Sequence, residues 1–133
     1  MNTRTASLVV SEPKAKVFAY LSRIENLPAW ATDFCRELKV VDGQHKVVSP
    51  MGELYFQIRA DERTGVIDMF AGPTDDRLAI FPTRVVALPG GSSAFIMTMF
   101  QWPGMTDAEF QGQYEALQRE FGNIAAIVTE AGS

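Results

Sequence analysis

The C-terminal part of the sequence carries its most regular pattern of apolar and polar positions. Apolar residues recur every three or four positions from Phe110 to Val128, which is the period of an amphipathic α-helix. Thr106 and Glu109 have the spacing of a capping box, in which each side chain bonds the backbone N–H of the other residue. We therefore predict a helix that starts after Thr106 and ends near Glu130. At 1.5 Å per residue it would be roughly 36 Å long, enough to cross a whole sheet.

The middle of the chain predicts β-strands. Alternating apolar and polar positions are separated by Gly, Pro and Asp turn signals, as in an antiparallel meander. Asp42-Gly43 indicates a two-residue hairpin that sets Val40 opposite His45. The predicted strands are 36–41, 45–49, 53–61, 66–71, 77–88 and 93–102.

A four-residue loop at 62–65 gives the best pairing of two of these strands. It sets Arg59 opposite Asp68 on one face and matches apolar residues on the other, as cross-strand pairs prefer. Asp68 could instead enter a cavity and act as a general base. We favour the ion pair with Arg59 on the outer face.

The N-terminal region predicts one strand, 3–10, and two short helices. Ser11 is the expected N-cap of the first helix, with Pro13 in its first turn. The second helix is expected over 24–34. The predicted fold class is α+β, with one domain at 1–133. It is a helix-grip of order β-α-α-β6-α, in which an antiparallel seven-stranded sheet wraps around the long C-terminal helix.

Local segments support this order. Val17-Phe-Ala-Tyr-Leu and Leu27-Pro-Ala-Trp-Ala resemble the two-helix segment of the START-like, or birch-pollen-allergen-like, superfamily. Further segments resemble its bacterial polyketide cyclase/dehydrase-like subgroup: 49–53, 65–68, 82–86 and 99–105. The resemblance covers nearly the whole chain and implies a cavity between the sheet and the long helix. Relatives often carry a histidine where Met69 stands. The superfamily includes carriers, cyclases, hydrolases and protein-binding domains, so the resemblance does not fix a function.

The charge composition limits the classes of partner that we expect this protein to bind. The net charge is −4, and 47–133 carries eleven Asp/Glu against five Lys/Arg. An acidic chain without a basic cluster is a poor ligand for phosphate backbones, so we expect no nucleic acid and no membrane partner. There is no signal-peptide pattern at the N-terminus, and Cys35 is the single cysteine. We therefore expect a cytoplasmic protein.

The sequence shows no catalytic constellation. One His and one Cys cannot furnish a zinc site, so neither a metal nor a cofactor is expected. The predicted hairpin separates Cys35 from His45 by about 17 Å at ~3.4 Å per residue, too far for a catalytic dyad. The turn 89–92 lacks the strand-to-helix context of a phosphate loop. We lean towards a protein that is not an enzyme.

Arg84 is the most informative candidate for ligand binding. If Leu88 pairs with Ser93, Arg84 falls opposite Met97. The resemblance to the bacterial subgroup implies that Met97 faces the helix, so Arg84 would point inward, where a ligand carboxylate could bind it bidentately. The alternatives are an internal salt bridge, or a surface position after a one-residue register change. Tyr114 carries a hydroxyl on the apolar stripe, and plain core is its alternative role. The other candidates for lining a pocket are Gln101, Met97, Met99, Phe56, Met69 and Phe121.

These observations predict a non-catalytic carrier or sensor for a small, mostly hydrophobic or aromatic molecule, which could carry an acidic group. One alternative is a polyketide cyclase/dehydratase-like enzyme using Asp68, Tyr114 or His45. Another is a protein-binding adaptor. We also expect a homodimer, because Ile96 and Phe100, joined by Trp102, would form an apolar outer face on the last strand.

Overall fold

A computed structural model describes residues 1–130 as an open eight-stranded antiparallel sheet and three α-helices. The helices are α1 (Lys14–Leu21), α2 (Leu27–Trp30) and α3 (Asp107–Glu130). The strands are β1 (Thr3–Val10), β2 (Glu37–Val41), β3 (Gln44–Ser49), β4 (Gly52–Asp61), β5 (Val66–Thr74), β6 (Arg77–Phe81), β7 (Thr83–Ala87) and β8 (Ser93–Phe100). Their order in the sheet is β1-β8-β7-β5-β4-β3-β2, with β6 paired to β5. The predicted α+β helix-grip class is confirmed.

The long helix begins where its capping box predicts. The backbone N–H of Thr106 donates to Glu109 Oε1 at 2.9 Å, and the N–H of Glu109 donates to Thr106 Oγ1 at 3.1 Å. Hydrogen bonds from the backbone N–H and the side chain of Thr106 favour the carboxylate and lower the pKa of Glu109. No helix among residues 1–130 has both the length and the apolar character needed to cross a membrane.

Two predicted registers are confirmed. Val40 pairs with His45, and Arg59 pairs with Asp68 across the four-residue loop. The predicted ion pair is wrong: within the described chain no salt bridge joins Arg59 to Asp68. The Arg59 guanidinium instead lies 5.1 Å from the ring centroid of Phe70, where it gains a cation–π contact.

The N-terminal helices depart from their predicted bounds. Ser11 does not cap α1, because Pro13 holds the N-cap position without a side-chain hydrogen bond. The single helix predicted over 24–34 is a 3-10 turn at Ile24–Asn26 followed by the one-turn helix α2. The chain after α2 therefore forms an irregular segment that reaches α3.

The predicted strand 77–88 is two strands. Pro82 has no backbone N–H to donate to a neighbouring strand and lies at the break between β6 and β7. The connection to β8 is also longer than expected. It runs from Leu88 to Ser92, whose carbonyl accepts the Leu88 N–H at 2.8 Å, so Ala87 rather than Leu88 pairs with Ser93.

The space between α3 and the sheet has two parts. Beneath the C-terminal half of α3 lies a packed core, which we call the filled half. Phe121 meets Phe95 edge-on there, with ring centroids 4.8 Å apart. Helix α1 packs against α3, β7 and β8 and covers this end. The other buried side chains that we assign to the filled half are Val17, Leu21, Val85, Ile124 and Val128.

Candidate functional site: a cavity beneath the long helix

A cavity of about 860 Å³ lies beneath the N-terminal half of α3, which we call the open half. The helix lines it with Gln113, the small residue Ala116 and the buried Leu117, and the exposed Gly112 lies at its rim. The sheet contributes small and flexible apolar side chains from its inner face: Met69, Ala71, Ala79, Met97 and Met99. The segment around α2 contributes Leu27, Trp30 and Phe34. The wall is therefore mostly apolar.

Glu120 is a buried charged side chain in this wall. Glu120 is only 4% exposed and lies on α3 at the edge of the cavity. Its Oε2 accepts the backbone N–H groups of Asp33 at 3.2 Å and Phe34 at 3.0 Å. Burial penalises the charged form and raises the pKa of Glu120 to about 7, although the two N–H groups pull it down.

An ion pair lies next to this carboxyl group. The Arg119 guanidinium binds Asp33 Oδ2, with the Nε donor at 3.2 Å. Cys35 is buried nearby, and burial together with the charge of Glu120 raises the pKa of its thiol to about 11. We call Asp33, Arg119 and Glu120 the polar corner of the cavity. It ties α3 to the segment after α2.

Sequence reasoning missed Glu120, although a signal was present. Glu120 follows Leu117 by three positions and precedes Ile124 by four, which is the spacing of the apolar stripe. A carboxylate at a stripe position is rare in a core unless it is partnered. Its presence there is a reason to suspect a site.

Four of the sequence-based candidates line the cavity: Phe56, Met69, Met97 and Met99. Each is at most 5% exposed. The ring centroid of Phe56 lies 5.9 Å from that of Phe34. A second, smaller cavity of about 590 Å³ also borders Phe56. Phe56 lines both cavities, and His45 lines the smaller one.

Three candidates are held elsewhere. Phe121 packs on Phe95 in the filled half. The Arg4 guanidinium lies 4.8 Å from the ring centroid of Tyr114, so this tyrosine faces β1 rather than the cavity. Gln101 Nε2 donates to the carbonyl of Met105 at 2.9 Å and to Asp107 Oδ1 at 2.8 Å. These bonds hold the Gln101 side chain at the start of α3.

The predicted inward position of Arg84 is wrong. The longer turn before β8 shifts the pairing by one residue, so Arg84 lies opposite Ile96 rather than Met97. A one-residue shift moves a side chain to the other face of a sheet. Arg84 is exposed, and its Nε donates to the carbonyl of Thr64 at 3.3 Å.

Trp102 also differs from its predicted outward position. It lines the cavity together with Phe100, and the two ring centroids are 5.7 Å apart. The indole Nε1 is buried and has no hydrogen-bond partner among residues 1–130. An unpaired buried donor is costly, so this group could accommodate an acceptor.

The geometry can be compared with the requirements of a metal site and of a catalytic site. Within the described chain, no three His, Cys, Asp or Glu side chains lie close enough to hold a metal ion. The catalytic candidates are also dispersed: Asp68 pairs with Arg59 on the outer face, and His45 lies at the smaller cavity. Glu120 is the titratable group with a raised pKa that reaches the wall of the larger cavity.

Comparison with known proteins shows the fold. No protein-family model matches the sequence, and no curated protein matches it. Among solved structures, XoxI from Bacillus cereus superposes with a TM-score of 0.77 at 10% identity, over 100% of this chain and 99% of that one. Ara h 8.0201 gives 0.67 at 20% identity, over 97% and 98%. A START superfamily protein from Mycobacterium smegmatis gives 0.67 at 13% identity, over 97% and 98%.

Proposed function

From its START-like, birch-pollen-allergen-like fold, we propose that this chain binds a small, mostly hydrophobic molecule in the cavity beneath α3, as a non-catalytic carrier or sensor. The observation that carries the proposal is the cavity of about 860 Å³ with a largely apolar wall. Ligand pockets in proteins typically measure 300–1,000 Å³ and combine an apolar wall with a few polar groups.

The composition of the wall supports a ligand of variable shape. Met69, Met97 and Met99 line the sheet side of the cavity. Methionine has three rotatable bonds and a polarisable sulfur, so such a wall can repack around different apolar molecules. Leaving an apolar cavity empty costs stability in proportion to its volume. Occupation by an apolar ligand would recover part of that cost.

A matched pair of alanines on α3 provides the test. Ala116 lines the cavity, whereas Ala126 is exposed on the same helix. Fluorescence titration with 1-aminoanthracene should show saturable binding to the unmodified chain. Ala116→Phe fills part of the cavity and should weaken binding at least about tenfold, which corresponds to 1.4 kcal/mol. Ala126→Phe should bind the probe as the unmodified chain does.

Equal binding by both variants would contradict the proposed location. Absence of saturable binding to the unmodified chain would contradict the proposed function itself. Circular dichroism and unfolding midpoints of the two variants serve as the check that each chain is folded.

A cyclase- or dehydratase-like enzyme is the second candidate, favoured by Glu120 alone. A buried carboxyl group whose pKa lies near 7 is suited to general acid–base work. The test is turnover of a linear poly-β-keto thioester, followed by mass spectrometry. Turnover that is lost in Glu120→Gln and kept in Glu115→Gln would favour the enzyme. No turnover by the unmodified chain would remove this candidate.

Three finer expectations stay predictions. The cytoplasmic location rests on the lack of a signal-peptide pattern and on Cys35, the single cysteine, which has no partner for an internal disulfide. The homodimer and the protein-binding adaptor relied on an apolar outer face on β8. Ile96 keeps part of its surface there, but Phe100 and Trp102 contribute to the cavity wall. Sedimentation velocity of the purified chain distinguishes a dimer from a monomer.

A further inference from the structure

The carboxyl group of Glu120 uses only one of its oxygens within the protein. Oε2 accepts the two backbone N–H groups of Asp33 and Phe34. Oε1 accepts no hydrogen bond from any residue in the described range 1–130. The two N–H groups therefore fix the side chain and leave one oxygen as an acceptor at the cavity wall.

The neighbouring cations do not balance this carboxyl group. Arg119 is bound to Asp33, and its side chain is 62% exposed. Arg36 also lines the cavity, but it is exposed to solvent, which weakens its field at a buried group. Glu120 is only 4% exposed. The polar corner therefore presents a buried hydrogen-bond acceptor towards the cavity.

We propose that Glu120 selects ligands whose apolar body ends in a hydrogen-bond donor, a hydroxyl or a protonated amine, and disfavours ligands that end in a carboxylate. This inference rests on the proposed binding function. A donor would satisfy Oε1 with a charge-assisted hydrogen bond. A carboxylate at the same place would set two like charges side by side at a mostly apolar wall. The proposed polarity is opposite to an acidic ligand held by Arg84, which lies on the outer face.

Four probes that share the naphthalene ring system separate the contribution of the apolar body from that of the polar end. They are naphthalene, 2-naphthol, 2-naphthylmethylamine and 2-naphthoate. Calorimetric titration at pH 8 should give dissociation constants for the amine and the naphthol at least about tenfold lower than for the naphthoate. Glu120→Gln should weaken the amine at least about tenfold and strengthen the naphthoate. Naphthalene should be unaffected, because it has no polar end. Glu115→Gln, on the exposed face of α3, is the matched control and should leave all four affinities unchanged.

A second measurement keeps the inference testable if Glu120→Gln does not fold. The groups around Glu120 are Asp33, Cys35 and Arg36 from the segment after α2, and Arg119 from α3. The pKa of Glu120 is about 7, so the unmodified chain should bind the amine more tightly at pH 8 than at pH 5.5. Its affinity for naphthalene should not change with pH.

The outcomes separate the inference from the function on which it rests. If naphthalene binds and the naphthoate binds as tightly as the amine, the cavity is a ligand site but Glu120 does not select. An amine affinity that is the same at both pH values would overturn the inference in the same way. If none of the four probes binds, the proposed function fails and the inference fails with it.

Discussion

The two halves of α3 share one apolar stripe but differ in how completely the space next to them is filled. In the filled half, Phe121, Ile124 and Val128 are at most 4% exposed and occupy the gap to the sheet. In the open half, the small Ala116 and the buried Leu117 border a cavity of about 860 Å³. Periodicity therefore predicts which side of a helix is buried, while residue volume decides whether the buried space is filled.

This division gives the two halves different roles. The filled half supplies close packing between α3, α1 and the sheet, which is where buried apolar area stabilises the fold. The open half gives up part of that packing, and its polar corner joins α3 to the segment after α2. The close packing at one end of the helix compensates for the cavity that borders the other end.

The largest expected effect is a loss of stability when an apolar side chain of α3 is shortened to alanine, and its size should differ between the two halves. Phe121→Ala should lower the free energy of unfolding by about 3–5 kcal/mol, because it opens a new cavity in close packing. Leu117→Ala removes a side chain that already borders empty space and should cost about 2 kcal/mol, the low end for such changes. Guanidinium unfolding measures both. Equal losses would contradict the division into a filled and an open half.

The pH dependence of stability tests the polar corner. The pKa of Glu120 rises from an ordinary value of 4.5 to about 7 in the folded chain, so the folded state binds more protons between these values. Its contribution to stability is therefore present below pH 4.5 and is lost as the pH rises through 7, by about 3 kcal/mol at 1.36 kcal/mol per pKa unit.

In Glu120→Gln this decline should be absent, whereas Glu115→Gln should retain it. Urea unfolding at pH 5 and at pH 8 gives the comparison. A decline of the same size in Glu120→Gln would assign the effect to other groups.

A smaller effect is expected at the start of the open half. Thr106→Ala removes the side-chain acceptor for the Glu109 N–H and should lower stability by about 1 kcal/mol. Hydrogen exchange should become faster in the first turns of α3 and stay unchanged around Ile124. Faster exchange along the whole helix would mean that the two halves open as one unit.

The smallest effect is expected at Arg84. Because its side chain lies on the outer face of the sheet, Arg84→Met should leave the affinity for 1-aminoanthracene and for 2-naphthoate unchanged. Titration of this variant beside the unmodified chain measures the difference. Weaker binding of the naphthoate would instead support an inward Arg84.

The elements of the fold were predictable because their signals are local. The capping box of Thr106 and Glu109 fixes the start of α3, and the hairpin at Asp42-Gly43 fixes the register of β2 and β3. The alternation along β8, oriented by the resemblance to the bacterial subgroup, also placed Met97 and Met99 on the inner face, where they line the cavity.

The candidate site was less predictable because its geometry depends on long-range details. The turn at Pro89–Gly91 takes one residue more than expected, which moves Arg84 to the outer face. Glu120 lies against Asp33 and Phe34, 87 and 86 positions away in the sequence. No local pattern indicates that this carboxyl group finds two backbone donors there.

Native mass spectrometry of the purified chain tests the central claim most directly. The account predicts a non-covalent small molecule on the unmodified chain and on Ala126→Phe, released when the protein is denatured, with lower occupancy on Ala116→Phe. A molecule that ends in a hydroxyl or an amine would fit the acceptor at Glu120. Bare chains in all three samples, together with no uptake of added naphthalene, would contradict the claim that the open half of α3 is a ligand site.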